Sequence, residues 1–281
     1  MKQRTFGPTG VDVSVIGQGT WRMEQCDRAV AIRALQRGVD LGATHIDTAE
    51  MYGNGAAEEI VGEAIQGRRD EVYLVSKVLP SNASRAGTIA ACESSLQRLC
   101  TDRLDCYLLH WEGSYPLAET VAGFEQLLVE GKIRAWGVSN FDERALAEVI
   151  AIAGAESIAC NQVCYHLQER AIEHAVVPFC ERHGIAVVAY SPFGSGSFPA
   201  ARSPGGRLLA EIGASREASA YQIALAFLCQ RQAQFAIPKS ATVAHVEDNA
   251  AAGDLALTDA EIERIDAVFP LGRPRRGVPM I

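Results

Sequence analysis

Residues 43–53 read Ala-Thr-His-Ile-Asp-Thr-Ala-Glu-Met-Tyr-Gly, where a short alternating apolar segment ends at an acidic residue and a turn follows. The acid is Asp47, and the turn presents Tyr52 directly before a glycine. Two later apolar segments also end at an ionisable residue, the first at Lys77 and the second at His110. Neighbouring strands of a parallel sheet lie about 4.8 Å apart. If these segments are adjacent strands, the carboxylate, phenol, ammonium and imidazole therefore converge on one place.

The same alternation of strand-like and helix-like segments continues from residue 13 to residue 251. The helical segments keep their apolar residues three and four positions apart, whereas the strands are short apolar runs. Strict alternation implies a parallel sheet with right-handed crossovers. The predicted strands are 13–19, 44–47, 72–77, 104–110, 133–139, 158–163, 185–191 and 235–238, and the predicted helices are 27–41, 57–65, 83–99, 117–130, 143–152, 173–183, 218–230 and 243–251.

Eight strand–helix units are enough to close a barrel. We therefore expect an α/β fold, a (β/α)8 TIM barrel forming a single domain over residues 1–281, with an open doubly wound sheet as the alternative. Residues 2–14 predict a β-hairpin that caps the barrel bottom. Residues 192–216, rich in Gly, Ser, Pro and Ala, predict a functional lid loop. Residues 272–281 lack periodicity and predict an extended arm over the surface.

Composition limits the classes of function. The net charge of −8 argues against nucleic acid or an anionic membrane as the main partner. No apolar run approaches the length of a membrane span and no signal peptide is visible, so we expect a soluble, cytoplasmic protein, either a monomer or a weak dimer. The eight cysteines lie mostly in apolar segments and are expected to be reduced. Cys160 and Cys164 match no common zinc spacing, so we expect no metal site.

The four ionisable residues, in this order and context, resemble the Asp-Tyr-Lys-His tetrad of the aldo-keto reductase superfamily. The resemblance extends from Gly17-Gln-Gly-Thr-Trp21 to Ile237-Pro-Lys-Ser240 and Asn249. It implies a carbonyl reductase that uses NADPH to reduce small aldehydes or ketones, including 2-oxoaldehydes or sugar-derived carbonyls. The partner expected on this basis is a small-molecule carbonyl substrate.

The chemistry of the tetrad follows from its side chains. A phenol has a pKa of about 10 and is a weak acid. We expect the charge of Lys77 to lower the pKa of Tyr52, Asp47 to pair with Lys77, and His110 to align the substrate oxygen. Tyr52 would then be the general acid while hydride passes from a reduced nicotinamide to the carbonyl carbon. Each residue alone has an ordinary structural explanation, such as packing or capping, but the four together are harder to explain in that way.

The resemblance also implies cofactor contacts. It places Ser139, Asn140 and Gln162 on the nicotinamide carboxamide and Tyr190 against the nicotinamide ring. The loop from Ser191 to Gly194 would cover the pyrophosphate. Just before the helix predicted over 243–251, the implied contacts are Lys239 and Ser240 on the 2′-phosphate. Inside that helix, the resemblance places Asn249 on adenine.

One position departs from the pattern of the family, because His245 stands where arginine is usual. Histidine lacks the permanent charge and the bidentate fork of arginine. We therefore expect NADPH with a weakened preference over NADH. Trp21 and Trp111, placed just after strand ends, are expected to form an apolar wall for the substrate.

Other interpretations stay open. A redox-sensing regulatory subunit of the same fold would bind the cofactor and turn over slowly. A metal-dependent barrel hydrolase or lyase needs a ligand set that these strand ends do not supply. The tail residues Arg273, Arg275 and Arg276 are either a solvated cluster or a contact for anionic substrates.

Overall fold

A computed structural model describes residues 1–281, and its strands form two separate sheets. The smaller sheet is an antiparallel pair, β1 (Gln3–Thr5) and β2 (Asp12–Ser14). The larger sheet contains eight parallel strands, each paired with the next along the chain. They are β3 (Gln18–Gly19), β4 (His45–Asp47), β5 (Tyr73–Val78), β6 (Cys106–Leu109), β7 (Trp136–Ser139), β8 (Ile158–Cys164), β9 (Ala186–Tyr190) and β10 (Gln234–Ala236).

The first and last parallel strands meet and close the sheet. Isolated parallel bridges join Ile16 to Ala236 and Gly19 to Lys239. The backbone N–H of Gly17 donates to the Ala236 carbonyl at 2.8 Å across this seam. A Cβ on Gly19 would lie 2.6 Å from the carbonyl oxygen of Ile237, so the close approach of the two backbones requires glycine. The predicted (β/α)8 barrel is confirmed, and the open sheet is excluded.

The hairpin covers the bottom of the barrel, as predicted. Phe6, between β1 and β2, is completely buried. Its ring lies 5.6 Å from the ring of His45, 5.1 Å from that of Tyr73 and 5.0 Å from that of Phe235. His45 and Tyr73 are the first residues of their strands. The hairpin therefore closes the end opposite to the carboxyl ends of the strands.

Ten α-helices accompany the strands. Eight correspond to the predicted ones, although the sixth is shorter because residues 171–174 form a separate 3-10 turn. They are α1 (Arg28–Asp40), α2 (Ala56–Ala64), α3 (Arg85–Arg98), α4 (Leu117–Val129), α5 (Glu143–Ala153), α6 (Val176–Arg182), α7 (Pro204–Ala214), α8 (Ala220–Leu228), α9 (Val243–Ala251) and α10 (Asp259–Val268).

The additional helices are α7 and α10. Helix α7 lies inside the segment predicted as a lid loop, so that prediction was wrong for residues 204–214. The Ser203 hydroxyl accepts a hydrogen bond from the Gly206 N–H at 3.0 Å, and Pro204 occupies the first turn. Both features favour the start of a helix. Helix α10 begins with a capping box formed by Thr258 and Glu261.

One hydrophobic cluster runs through the molecule. It contains 69 buried residues from Phe6 to Phe269. Every residue of β5 and of β8 is buried, as expected for parallel strands that are covered on both faces. No helix combines the length and the hydropathy needed to cross a bilayer. All eight cysteines are unpaired.

Candidate active site

The tetrad residues lie at the carboxyl ends of three neighbouring strands. Asp47 is the last residue of β4, and Lys77 is the penultimate residue of β5. His110 directly follows β6, and Tyr52 begins a 3-10 turn after β4. This is the end of a (β/α)8 barrel at which active sites are found.

Lys77 is hydrogen-bonded to two of the other predicted residues, Asp47 and Tyr52. Its side chain is completely buried, and Nζ donates to Asp47 Oδ1 at 2.5 Å, to the Thr48 carbonyl at 2.8 Å and to the Tyr52 hydroxyl at 3.3 Å. Burial alone would lower the pKa of Lys77, but Asp47 and Tyr52 raise it above its ordinary value. The lysine therefore stays charged inside the barrel mouth.

The pKa of Tyr52 differs from the expectation. Removal of the phenol from water raises the pKa by more than the nearby charge of Lys77 lowers it, so the net shift is upward. The expected lowering is present as one contribution but does not determine the sign. At neutral pH the phenol consequently carries its proton, as a proton donor must.

His110 is a neutral imidazole. Burial, followed by the charge of Lys77, lowers its pKa to about 2. Its ring stands edge-on to that of Tyr52, with centroids 5.9 Å apart, and 4.8 Å from the ring of Trp111. Nδ1 is buried without a hydrogen-bond partner. A neutral imidazole can donate one N–H to a carbonyl oxygen without adding charge.

A cleft opens over these groups at the barrel mouth. Both predicted tryptophans line it, whereas Lys77 is not among its lining residues. The cleft is lined by Gly19, Thr20, Trp21, Asp47, Met51, Tyr52, His110, Trp111, Ser139, Asn140, Gln162, Tyr190, Ser191, Ile237, Lys239, Met280 and Ile281.

The residues predicted to hold the nicotinamide form one hydrogen-bonded group. The Tyr190 hydroxyl donates to Asn140 Oδ1 at 2.9 Å. Asn140 Nδ2 donates to Ser139 Oγ at 3.1 Å and to the His110 carbonyl at 3.0 Å. Ser139 Oγ donates to the Gln162 carbonyl at 2.8 Å. This network holds the ring of Tyr190 at the edge of the cleft.

Gln162 links this network to the tetrad. Its Nε2 donates to Asp47 Oδ2 at 2.7 Å, so both carboxylate oxygens of Asp47 accept a hydrogen bond. The side-chain oxygen of Gln162 makes no hydrogen bond within the protein. It therefore remains available as an acceptor for a carboxamide.

Four of the predicted cofactor residues lie outside the cleft. Ser240 and Asn249 line a small neighbouring pocket together with Gln18, whose Oε1 is buried without a partner. Gly194 packs on the ring of His166, and His245 is exposed on α9. Lys239 does reach the cleft, and its Nζ lies 3.4 Å from Cys26 Sγ. The two pockets thus share the segment 237–240.

Several lining residues were not predicted. Thr20 precedes Trp21 and Met51 precedes Tyr52, so both could have been predicted from their neighbours in the sequence. Thr20 Oγ1 donates to the Asp47 carbonyl at 3.0 Å. Ile237 lay within the quoted segment at the last strand. Met280 and Ile281 gave no signal, because the tail lacks any periodic pattern. They bring the end of the predicted surface arm into the cleft.

The tail arginines stay on the surface. Arg275 pairs with Glu169 at 3.0 Å, and none of the three arginines lines the cleft. This arrangement favours the solvated cluster over a contact for anionic substrates. No group of three or more histidine, cysteine, aspartate or glutamate residues is placed to hold a metal ion.

The chain matches a known protein family over most of its length. Residues 15–269 match the model of the aldo/keto reductase family. The methylglyoxal reductase YeaE of Escherichia coli (strain K12) is 44% identical over 288 aligned positions, which cover 100% of both chains. The glyoxal reductase of Bacillus subtilis (strain 168) is 32% identical, over 92% of this chain and 90% of that protein.

A solved structure supports the same assignment. The aldo-keto reductase of Klebsiella pneumoniae, crystallised in complex with NADPH, superposes with a TM-score of 0.93 and 42% identity over 100% of both chains. The family match covers most of the chain, and the barrel and the arrangement at its mouth agree with it. The chain therefore belongs to the aldo/keto reductase family.

Proposed function

We propose that the protein reduces small aldehydes and ketones, 2-oxoaldehydes such as methylglyoxal among them, to alcohols with NADPH. The observation that carries this proposal is the contact of 3.3 Å between Lys77 Nζ and the Tyr52 hydroxyl, beside a neutral His110. The methylglyoxal and glyoxal reductases among its relatives support the substrate class.

Each tetrad residue has a separate role in protonating the substrate carbonyl oxygen. The substrate carbonyl oxygen lies between the Tyr52 hydroxyl and an N–H of His110, and His110 orients it. Tyr52 donates its proton to that oxygen as the carbonyl is reduced. The charge of Lys77 stabilises the phenolate that remains. Asp47 keeps Lys77 charged and directed at the phenol. When it is bound, NADPH supplies the hydride.

The cleft offers suitable groups for the cofactor. Gln162 has a free side-chain oxygen for the carboxamide, Tyr190 presents a flat ring, and Lys239 brings a cation to the same cleft. Ser240 and Asn249, the implied contacts of the adenosine end, line the small pocket next to the cleft. These residues fit a dinucleotide that crosses the barrel mouth, and we expect NADPH to be preferred over NADH.

The apolar side of the cleft favours small, uncharged substrates. Trp21, Met51, Trp111, Met280 and Ile281 form its apolar wall. The one cation among the lining residues, Lys239, is assigned above to the cofactor. Such a wall gains from burying an alkyl group but cannot pair with a carboxylate. We therefore expect neutral aldehydes to be better substrates than keto acids.

The test is NADPH oxidation across a panel of carbonyl compounds, measured with Tyr52→Phe and with Tyr73→Phe as a matched control. Tyr73 lies at the bottom of the barrel and its hydroxyl has no hydrogen-bond partner, so its loss should leave turnover unchanged. We expect Tyr52→Phe to lower kcat by about 10²–10⁴-fold, the usual contribution of a general acid. Undiminished turnover in Tyr52→Phe, or no oxidation of NADPH by the native protein, contradicts the proposal.

A further inference from the structure

Glu50 lies between Asp47 and Tyr52 on the loop from β4 to α2, and its side chain reaches the next loop of the barrel. Oε1 accepts the backbone N–H of Leu79 at 2.6 Å and Asn82 Nδ2 at 3.0 Å. The backbone N–H of Glu50 also donates to the Lys77 carbonyl at 3.4 Å. One residue thus bonds to the strand end that carries Lys77 and to the loop beyond it.

The turn that carries Tyr52 needs such support. The three residues after Tyr52 all have positive φ, with 56° at Gly53, 57° at Asn54 and 93° at Gly55. A non-glycine residue in this region costs on the order of 1 kcal/mol and persists only when its surroundings fix it. A turn of this kind cannot maintain itself as a helix does. The position of the phenol therefore depends on contacts made by the neighbouring residues.

The β5–α3 loop, which contains Leu79 and Asn82, also contacts the loop after His110. Leu79 precedes a single 3-10 turn over Pro80–Asn82. Gly113, in the loop after His110, packs so closely on this turn that a Cβ there would lie 2.5 Å from Pro80 Cβ. Glu50 therefore joins the loop that carries Tyr52 to a turn that also contacts the loop after His110.

We propose that Glu50 is a positioning residue whose carboxylate fixes the β4–α2 loop to the β5–α3 loop and so holds the Tyr52 phenol beside the Lys77 ammonium. Glu50 does not line the cleft and acts only through Tyr52. The inference rests on the proposed function, because it assigns Glu50 a part in the same reaction. A misplacement of about 1 Å can lower a rate by about 10²-fold, so a lost clamp is measurable.

The test compares Glu50→Ala with Glu50→Gln, which keeps an oxygen that can accept both hydrogen bonds. Glu263→Ala is the matched control, since Glu263 is exposed on α10 and forms no ion pair. For methylglyoxal reduction we expect Glu50→Ala to lower kcat by about 10–100-fold. KM for NADPH should stay within about two-fold, because only a step after binding is affected. Glu50→Gln should restore most of kcat. Unchanged kcat in Glu50→Ala, or an equal loss in Glu50→Gln, overturns the proposal.

A second measurement does not depend on turnover. Hydrogen exchange of residues 48–55 and 77–83 should become faster in Glu50→Ala and stay as in the native protein in Glu50→Gln and Glu263→Ala. Asn82→Ala, which removes one of the two donors, should give a smaller increase in the same segments. Unchanged exchange in Glu50→Ala overturns the clamp. If exchange is faster in Glu50→Ala but the native protein reduces no carbonyl, the proposed function is refuted and the clamp itself stands.

Discussion

Lys77 carries a charge where no water reaches it, and Asp47 is the partner that makes this possible. The two side chains are 0% and 1% exposed. Removing one member of such a pair leaves the other charge buried and unpaired, whereas replacing both can be nearly neutral for stability. The pair is therefore expected to serve the site more than the fold.

Variants of the pair separate stability from turnover. Lys77→Met should destabilise the protein by about 3–5 kcal/mol, because Asp47 is left charged and buried. The double variant Asp47→Asn/Lys77→Met should recover most of that loss, yet it should remain inactive because no cation faces Tyr52. Urea unfolding and NADPH oxidation measure the two quantities. Recovery of turnover along with stability would show that the charge of Lys77 is not needed for the reaction.

We expect the preference between NADPH and NADH to depend on a different residue, His245. Its side chain is exposed on α9, near the pocket that contains Ser240 and Asn249. Arginine at this position would add a permanent charge and a bidentate fork for a 2′-phosphate. His245→Arg should therefore raise the NADPH-to-NADH ratio of kcat/KM by about tenfold, the equivalent of about 1.4 kcal/mol. Steady-state kinetics of the native protein and of His245→Arg with NADPH and with NADH measure this ratio. An unchanged ratio would place the phosphate elsewhere.

His45, on β4, is a second buried histidine besides His110, and it lies at the bottom of the barrel. His45 is 0% exposed, and neither ring nitrogen has a hydrogen-bond partner. Burial is the main cause that lowers its pKa from 6.5 to about 4. The folded protein thus binds this proton less readily than the unfolded chain does. The contribution of His45 to the free energy of unfolding is constant above about pH 6.5 and is lost as pH decreases toward 4.

The pH dependence of stability measures this effect. A shift from 6.5 to about 4 corresponds to a loss of about 3 kcal/mol between those pH values. His45→Leu should flatten the curve of unfolding free energy against pH by roughly that amount. An identical slope in native protein and His45→Leu would mean that His45 is not buried as a neutral ring.

The strands could be predicted from the sequence more securely than the connections between them. Each strand is a short apolar run with a polar end, and the barrel follows from counting those runs. Helix α7 escaped prediction because Gly, Ser and Pro dominate residues 192–216, although Ser203-Pro204 is an N-terminal helix signal. Met280 and Ile281 could not be placed, since their position depends on tertiary contacts that no local pattern encodes.

In the candidate site, too, some features could be predicted from the sequence and others required the structure. Asp47, Tyr52, Lys77 and His110 could be proposed from the sequence because each stands at the end of a recognisable strand or in the segment that follows one. The sign of the Tyr52 pKa shift required the structure, because it depends on how far the phenol is removed from water. The hydrogen bonds of Glu50 also required it, because they join loops 29 and 32 residues apart in sequence.

The closed sheet makes the two ends of the chain dependent on each other. The seam between Val15–Gly19 and Ala236–Pro238 holds hydrogen bonds of 2.9, 2.8 and 3.1 Å, and the hydrophobic cluster runs without interruption from Phe6 to Phe269. Neither half of the barrel can lose its strands without opening that seam. This interdependence supports the prediction that residues 1–281 form a single domain.

Equilibrium unfolding tests that prediction. Far-ultraviolet circular dichroism reports on all helices, whereas tryptophan fluorescence reports on Trp21, Trp111 and Trp136, all in the first half of the chain. The two transitions should coincide if the barrel unfolds as one unit. Gly19→Ala, whose Cβ would lie 2.6 Å from the Ile237 carbonyl, should lower both midpoints equally because it strains the seam. A fluorescence transition that separates from the dichroism transition would show two independently folded parts.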